Sequence, residues 1–240
     1  MFPQSLENSS FFAKGSYRII LYIFLLIWLL PLFGILVTSV RSLEDLNTGN
    51  YWGWPSGFFL IENYSEVFKA TPMFKYFFNS IVITFPTVLG TLVLSSLAGY
   101  SLAKHQFKGN FIIFAIFIAG NFVPAQILMI PVRDLTLKLG LYDTKLALIL
   151  FHTAFQTGFC TFFLRGFIKE LPHEMVESAR IDGASEFRVY WSVILPLIQP
   201  ALAALAVLEF TFIWNDYFWA LVLVQEDEAR PITLGLQALR

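Results

Sequence analysis

Five long runs of apolar residues, almost free of charged side chains, constrain this chain more than any other feature of its sequence. A helix needs about 20 mostly apolar residues to cross the hydrocarbon core of a bilayer. Each run is therefore predicted to be a membrane-spanning helix, and the chain is predicted to be an all-α, polytopic membrane protein with a single domain over residues 1–240. The runs cover residues 17–40, 76–103, 110–132, 145–165 and 197–224.

Composition supports a membrane protein and excludes several other classes. Charged residues make up 14% of the chain, whereas ordinary soluble domains carry about a quarter. A formal net charge of −1 provides no basic field, so nucleic acid is not an expected partner. Cys160 is the only cysteine in the chain, and its apolar surroundings predict a small core residue rather than a reactive thiol.

Catalytic and nucleotide-binding patterns are missing from the sequence. It contains no G-x-x-x-x-G-K-[ST] phosphate loop, no G-x-G-x-x-G and no G-x-S-x-G. The histidines His105, His152 and His173 lie on separate segments without the spacing of metal ligands. We therefore predict no catalytic residue, no metal site and no cofactor bound by this chain.

The charge distribution favours a cytoplasmic amino terminus, although equal numbers of Lys and Arg fall on the two predicted sides. The loop at 104–108 has basic residues and no acidic ones, while 226–228 is a purely acidic cluster. The first run follows basic residues, as a secretory signal would. It is longer than a signal and lacks a small-residue cleavage site, so a retained anchor is expected.

Two acidic residues within the fifth run are the most unusual feature of the predicted spans. A carboxylate at the bilayer centre costs about 2.5–3.5 kcal/mol on insertion scales. Glu209 and Asp216 are seven residues apart, which is close to two helical turns, so both are predicted on one helix face. That face should line the bundle interior or a polar cavity.

Isolated polar residues on other runs accompany these acids. They predict either a translocation path or interhelical hydrogen bonds that hold the bundle together. The predicted pathway residues are Asn121, Gln126, Gln156, Asn215 and Asp216.

Small residues and prolines indicate how the spans pack and bend. Small side chains at regular spacing let membrane helices approach closely, and proline bends or ends a helix. Two stripes of small residues are predicted to face protein: Ser95, Gly99 and Ala103, and then Ala201, Ala203, Ala204 and Ala206. Prolines interrupt the spans at Pro86, Pro124, Pro131, Pro196 and Pro200.

Residues 170–196 form a polar stretch between the fourth and fifth runs, and their pattern predicts two short helices joined by a sharp turn. Pro172 suits the first turn of a helix, and Asp182-Gly183 is a turn signal. The second helix would carry Phe187. Such a protrusion of mixed apolar and charged side chains either contacts another protein or rests on lipid headgroups.

The spacing within this stretch resembles the E-A-A, three residues, G, nine residues, I-x-L-P pattern of permease subunits of bacterial ABC importers. Here Ser178 stands at the second position and Val193 at the first of the last four. Asp182-Gly183-Ala184 also matches the D-G-A that is common in the family. The matching residues are Glu177-Ser178-Ala179, Gly183 and Val193-Ile194-Leu195-Pro196.

Other stretches are similar to the carbohydrate-uptake branch of that family, and most of all to the second permease of maltose- and trehalose-type transporters. Members of the family have a sixth span after the segment that resembles 231–239, whereas five spans are visible here. The similar stretches are ENYSEVF at 62–68, FFNSIVIT at 77–84, AGYSLAKHQFKG at 98–109 and WNDYFWALVL at 214–223.

The resemblance implies the fold and partners of a type I ABC importer permease. The partners would be a homologous second permease, two ATPase subunits that hold ATP and Mg, an extracytoplasmic sugar-binding protein and membrane lipid. The substrate would be a di- or oligosaccharide or a glycoside, with glycerol phosphate or a polyol left open, moved across a bacterial inner membrane by a multi-pass protein that is not itself an enzyme.

Residues around Gly183 would form the coupling helix, seated in a cleft of an ATPase subunit. Asp182 is expected to cap a helix locally rather than pair with a base on the partner. An alternative to ATP-driven import is a proton-coupled secondary transporter that uses Glu209 and Asp216. The residues implied in coupling are Glu174, Glu177, Ser178, Ala179, Asp182, Gly183, Ala184 and Phe187.

Overall fold

Helices and the turns between them make up the structure of residues 11–239, the part of the chain that the computed structural model describes. The predicted all-α class is confirmed for these residues. The chain consists of two compact units. The first ends at Ala70 and the second begins at Thr71.

The first unit contains a long apolar helix, α1 (Phe11–Ser39), and the short helices α2 (Leu43–Asn47) and α3 (Leu60–Ala70). Polar contacts hold the segment between α1 and α3. The Asp45 carboxylate accepts hydrogen bonds from the Ser56 amide (2.8 Å) and hydroxyl (2.9 Å). These bonds lower the pKa of Asp45. The Asn63 amide donates to the carbonyls of Ser39 (3.0 Å) and Arg41 (2.8 Å).

Two long helices, α4 (Met73–Lys104) and α7 (Lys145–Glu170), pack side by side in the second unit. A Cβ on Gly99 would lie only 3.1 Å from the Arg165 backbone nitrogen, so the helices touch almost backbone to backbone there. Ser95 and Gly99 are buried and Ala103 is half-buried, which confirms that this stripe faces protein. In the alanine stripe, Ala201 is buried and Ala206 half-buried, whereas Ala203 and Ala204 are exposed in this chain.

The third predicted span, 110–132, is not one continuous helix. It is divided into α5 (Asn110–Asn121), a 3₁₀ turn (Ala125–Leu128) and α6 (Met129–Lys138). The parts before and after the break form an angle of 92°. Pro124 lies in the break, and because proline has no backbone N–H it cannot continue the hydrogen-bond ladder of α5.

The fifth predicted span, 197–224, is also interrupted. The polar stretch that begins at residue 170 provides α8 (His173–Ile181), α9 (Glu186–Val189), a π-helical turn (Tyr190–Ile194) and α10 (Leu195–Leu197). A 73° bend then leads into the next helix. The remaining elements are α11 (Gln199–Trp214), α12 (Phe218–Leu223), α13 (Ile232–Gly235) and a 3₁₀ turn (Leu236–Leu239).

The prediction that Glu209 and Asp216 share one helix face is therefore wrong. α11 ends at Trp214, and the Asp216 carboxylate accepts hydrogen bonds from the amides of Trp219 (3.2 Å) and Ala220 (3.1 Å). A side chain that binds the free amides of a first turn starts a new helix. Within residues 11–239, three helices are long and apolar enough to cross a membrane, or up to five if each bent pair counts as one span.

The turns that connect the helices of the second unit lie at its two ends. At one end, the Lys104 ammonium donates to the Leu171 carbonyl (2.6 Å) and Arg165 Nε donates to the Leu102 carbonyl (3.2 Å). The first bond joins the end of α4 to the start of the polar stretch at 170–196, and the second joins it to α7.

At the opposite end, the Asp143 carboxylate accepts from the amides of Gln225 (2.7 Å) and Glu226 (3.0 Å). The Asn79 amide donates to the carbonyls of Glu228 (3.1 Å) and Arg230 (2.9 Å). The chain after α12 is thereby fixed to the beginning of α4 and the beginning of α7.

Candidate functional site

The stretch that resembles the coupling region is a helix–turn–helix, which confirms the pattern predicted from Pro172 and Gly183. α8 and α9 meet at Gly183, whose φ of +79° is a left-handed conformation that favours glycine. The side-chain cap of α9 is Ser185, whose hydroxyl accepts from the Arg188 amide (3.4 Å). Asp182, which was expected to cap a helix locally, is the residue that ends α8, and its backbone amide donates to the Ser178 and Arg180 carbonyls.

The outer surface of this helix–turn–helix is exposed and mixes acids with large apolar side chains. Ile181 is 86% and Phe187 70% exposed, and sequence reasoning did not single out Ile181. Ala179 and Ala184 are half-buried and pack on the core cluster. The other implied coupling residues, Glu174, Glu177, Ser178, Asp182, Gly183 and Phe187, are all exposed.

The inner surface anchors the segment to the bundle. Val176 and Val189 are 2% and 0% exposed and belong to one core cluster with Leu164 and Ile168 of α7. Burying a side chain of this size contributes about 1.5–3 kcal/mol. The two short helices are therefore packed parts of the unit rather than a loose loop.

Glu186 joins the segment to the end of α4 and is a residue that sequence reasoning missed. One carboxylate oxygen lies 2.7 Å from Arg180 Nε, and the other lies 2.7 Å from the Tyr100 hydroxyl and 3.0 Å from His105 Nε2. The bond with Glu186 raises the pKa of Arg180 above its ordinary value. The sequence could have indicated this contact, because a base, Arg180, and an acid, Glu186, stand on the two sides of the Gly183 turn.

A cavity of about 500 Å³ lies among α5, α7 and the break between α11 and α12. Four of the five predicted pathway residues line it: Asn121, Gln126, Gln156 and Asp216. Asn215 does not. It follows the last residue of α11, donates to the Thr211 carbonyl (2.8 Å) and lines an adjoining groove that shares Asp216 with the cavity.

Two carboxylates and a histidine define the polar part of this cavity. His152 Nε2 lies 3.3 Å from Asp216 Oδ2, and both side chains are mostly buried. Glu209 is 1% exposed and accepts from the Cys160 thiol (3.2 Å) through Oε1. Its Oε2 has no hydrogen-bond partner in the described part of the chain. Cys160 is itself buried, which confirms the predicted core position.

Aromatic rings form the apolar wall of the cavity. The ring centroids of Phe151 and Trp219 are 3.8 Å apart, and Phe155 stacks on Phe151 at 5.7 Å with an interplanar angle of 18°. Ligand pockets commonly combine such walls with a few converging polar groups. His152 and the rings were missed because a lone histidine and scattered aromatic residues are also ordinary features of membrane helices.

Comparisons with known proteins agree with this architecture. The family described as "Binding-protein-dependent transport system inner membrane component" matches residues 10–239. The putative ABC transporter permease protein ORF2 of Caldicellulosiruptor sp. is 35% identical over 219 residues, which cover 90% of this chain and 79% of the relative. The arabinooligosaccharides transport system permease protein AraQ of Bacillus subtilis is 34% identical over 93% of this chain and 81% of its own length.

A solved structure has the same fold. It belongs to a bacterial ABC transporter involved in the import of the acidic polysaccharide alginate, and it matches with a TM-score of 0.79 and 25% identity. The match covers 99% of this chain and 81% of the other. The predicted type I ABC importer permease fold is thereby confirmed.

Proposed function

This chain belongs to the family of binding-protein-dependent transport system inner membrane components, and from that premise we propose that it is a sugar-conducting permease subunit of an ATP-driven importer. As a member it is an inner membrane component with several apolar helices. Its substrate is a di- or oligosaccharide or a glycoside. The names of its relatives support a carbohydrate, since AraQ carries arabinooligosaccharides in its name and the solved structure is that of an alginate importer.

The exposed surface of α8 and α9 is the docking site for an ATPase subunit. The observation that carries this proposal is the combination of motif spacing and geometry. The motif residues stand on the outside of a protrusion whose inner face is buried, and Glu186 ties its two helices to α4. A packed protrusion transmits displacement to the long helices. Exposed Phe187 and Ile181 would enter an apolar cleft on the partner, with Glu177 and Asp182 at its rim.

The remaining members of the importer are a homologous second permease, two ATPase subunits and an extracytoplasmic sugar-binding protein. ATP and Mg are held by the ATPase subunits and not by this chain, which contains no phosphate loop. The amino terminus is proposed to lie in the cytoplasm, as the basic loop at 104–108 and the acidic cluster at 226–228 favour. Neither the relatives nor the fold supports the proton-coupled alternative.

The sugar passes the cavity lined by Asn121, Gln126, Gln156 and Asp216. Amide and carboxylate groups bind hydroxyls, and the exposed rings of Phe159 and Phe212 provide apolar area for the C–H faces of a sugar. Because Asn215 stands outside this cavity, it is not part of the proposed path.

Replacing Gly183 tests the coupling role. An added Cβ would meet nothing within 4 Å. Within this chain, a substitution therefore strains the backbone conformation but causes no steric clash. A β-branched residue opposes the left-handed φ by about 1–2 kcal/mol. Gly183→Val is expected to reduce ATP-driven sugar uptake at least about tenfold, or to release the ATPase during purification.

Gly183→Asn is the matched control, because Asn tolerates the left-handed region, and it should retain most of the uptake. Uptake and sugar-stimulated ATP hydrolysis are measured in the importer purified with its partners and reconstituted into proteoliposomes. Normal uptake together with normal ATPase retention in Gly183→Val would contradict the coupling role. If no ATPase co-purifies with the unaltered chain, the proposed function itself fails.

A further inference from the structure

The polar groups of the 500 Å³ cavity are unbalanced in charge, and this imbalance bears on which sugars it accepts. Two carboxylic side chains, Glu209 and Asp216, line the cavity. Among the described lining residues, His152 is the only side chain able to carry positive charge, and it is already 3.3 Å from Asp216. No Lys or Arg of the described chain contributes to the wall.

Asp216 is held where it can act on a ligand. Two backbone amides, those of Trp219 and Ala220, donate to its carboxylate, and His152 approaches Oδ2 from α7. Hydrogen bonds of this kind to an ionised acceptor are stronger than neutral ones. They fix the carboxylate in one orientation while leaving it an acceptor.

Glu209 adds an acceptor that has no partner. Its Oε1 accepts from Cys160, whereas Oε2 is buried without a hydrogen bond in the described part of the chain. A buried polar oxygen left without a partner is unfavourable by about 1–3 kcal/mol. A hydroxyl group or a water entering the cavity would satisfy it.

We propose that this cavity is a sugar subsite of the permease that accepts neutral, hydroxyl-rich sugars and rejects anionic ones, with Glu209 and Asp216 as the residues that determine this specificity. The inference rests on the proposed function and deepens it. Sugar hydroxyls donate to the acceptors while the exposed rings of Phe159 and Phe212 pack on the sugar faces. A uronate carboxylate in the same cavity meets the Asp216 carboxylate at low dielectric, where repulsion is weakly screened.

A cysteine placed in the wall measures this charge selection without knowledge of the sugar. Gln156→Cys puts a thiol on the cavity, and the unaltered chain, which has only the buried Cys160, provides the background. The thiol is modified in the purified importer by two methanethiosulfonates of similar size, one cationic (trimethylammonium-ethyl) and one anionic (sulfonatoethyl).

Gln199→Cys is the matched control, since Gln199 is exposed on the same helix as Glu209 and about 15 Å away along its axis. Relative to that control, Gln156→Cys is expected to favour the cationic reagent at least about tenfold. Adding Asp216→Asn and Glu209→Gln should return the ratio towards the control value. An unchanged ratio in the charge-neutral variants, or equal rates for both reagents at Gln156→Cys, would overturn the proposal.

Protection of the same thiol tests sugar binding directly. Galactobiose, which is neutral, and digalacturonate, its dicarboxylate counterpart, are added before the uncharged methyl methanethiosulfonate. Galactobiose should slow modification of Gln156→Cys and digalacturonate should not. Equal protection by both sugars would contradict the charge selection. Absence of protection by galactobiose and by a series of neutral di- to tetrasaccharides, in an importer whose ATP hydrolysis a neutral sugar stimulates, would overturn the subsite while leaving the proposed function intact.

Discussion

At the scale of single residues, Asp143 shows how one side chain can hold two segments together. Its φ of +64° is unusual for a residue other than glycine. The carboxylate accepts from the amides of Gln225 and Glu226, and its own amide donates to the Leu223 carbonyl (2.9 Å). Three hydrogen bonds therefore fasten the end of α12 to the turn before α7.

Asp143→Ala is expected to destabilise the protein by about 1–3 kcal/mol, because it leaves two amides without an acceptor and strains the backbone. Asp143→Asn keeps the Oδ1 acceptor and tolerates positive φ, so its effect should be clearly smaller. Thermal unfolding of the purified chain in detergent measures both variants. Equal Tm values for the Ala and Asn variants would show that this contact does not contribute to stability.

Residue-level prediction from the sequence succeeded where a residue type stands out against its neighbours. The lone polar groups Asn121, Gln126 and Gln156 in apolar runs indicated the cavity that they line, and Gly183 marked the turn. Asn215 was predicted by the same criterion, and it lines the adjoining groove, where its side chain donates to the Thr211 carbonyl at the end of α11. His152 was missed because its partner Asp216 is distant in sequence, and only the packing of α7 against the α11–α12 break brings them together.

At the scale of whole elements, the α4–α7 contact depends on Gly99. A Cβ there would lie 3.1 Å from the Arg165 nitrogen and 3.3 Å from the Leu164 Cβ, and the Arg165 atom is backbone, which cannot rotate away. Gly99→Leu is expected to destabilise the pair by about 1–3 kcal/mol. Gly166→Leu is the control, since Gly166 of α7 has nothing within 4 Å of its Cβ position. If Tm falls equally in both variants, the close contact is not the cause.

The positions of the helices in the sequence were more predictable than the angles between them. Apolar runs located α4 and α7 closely, because a long charge-free run in a bilayer has little alternative to a helix. The runs at 110–132 and 197–224 were predicted as spans, and prolines were noted in both. Hydropathy carries no information on angle, however. The 92° and 73° bends depend on where the backbone ladder is broken, at Pro124 in the first bend and between Pro196 and Pro200 in the second.

At the scale of the whole molecule, the turns of the second unit lie at two opposite ends. This arrangement predicts from which side of the membrane a reagent can label each turn. The helix–turn–helix of α8 and α9 and residues 104–110 lie at one end, whereas 225–232 join the beginning of α4 at the other. Asp182→Cys should react with a membrane-impermeant maleimide only from the cytoplasmic side, and Glu226→Cys only from outside. Sealed vesicles of both orientations measure this, and reaction of both thiols from one side would contradict the predicted orientation.

The 73° bend between Glu186–Leu197 and Gln199–Trp214 has a mechanical consequence. The cosine of 73° is about 0.3, so a displacement of the first helix along its own axis has only a small component along the second. Most of that displacement therefore moves α11 sideways, perpendicular to its own axis. Because α11 carries Glu209, a push received at the membrane surface would change the width of the proposed sugar cavity rather than its depth.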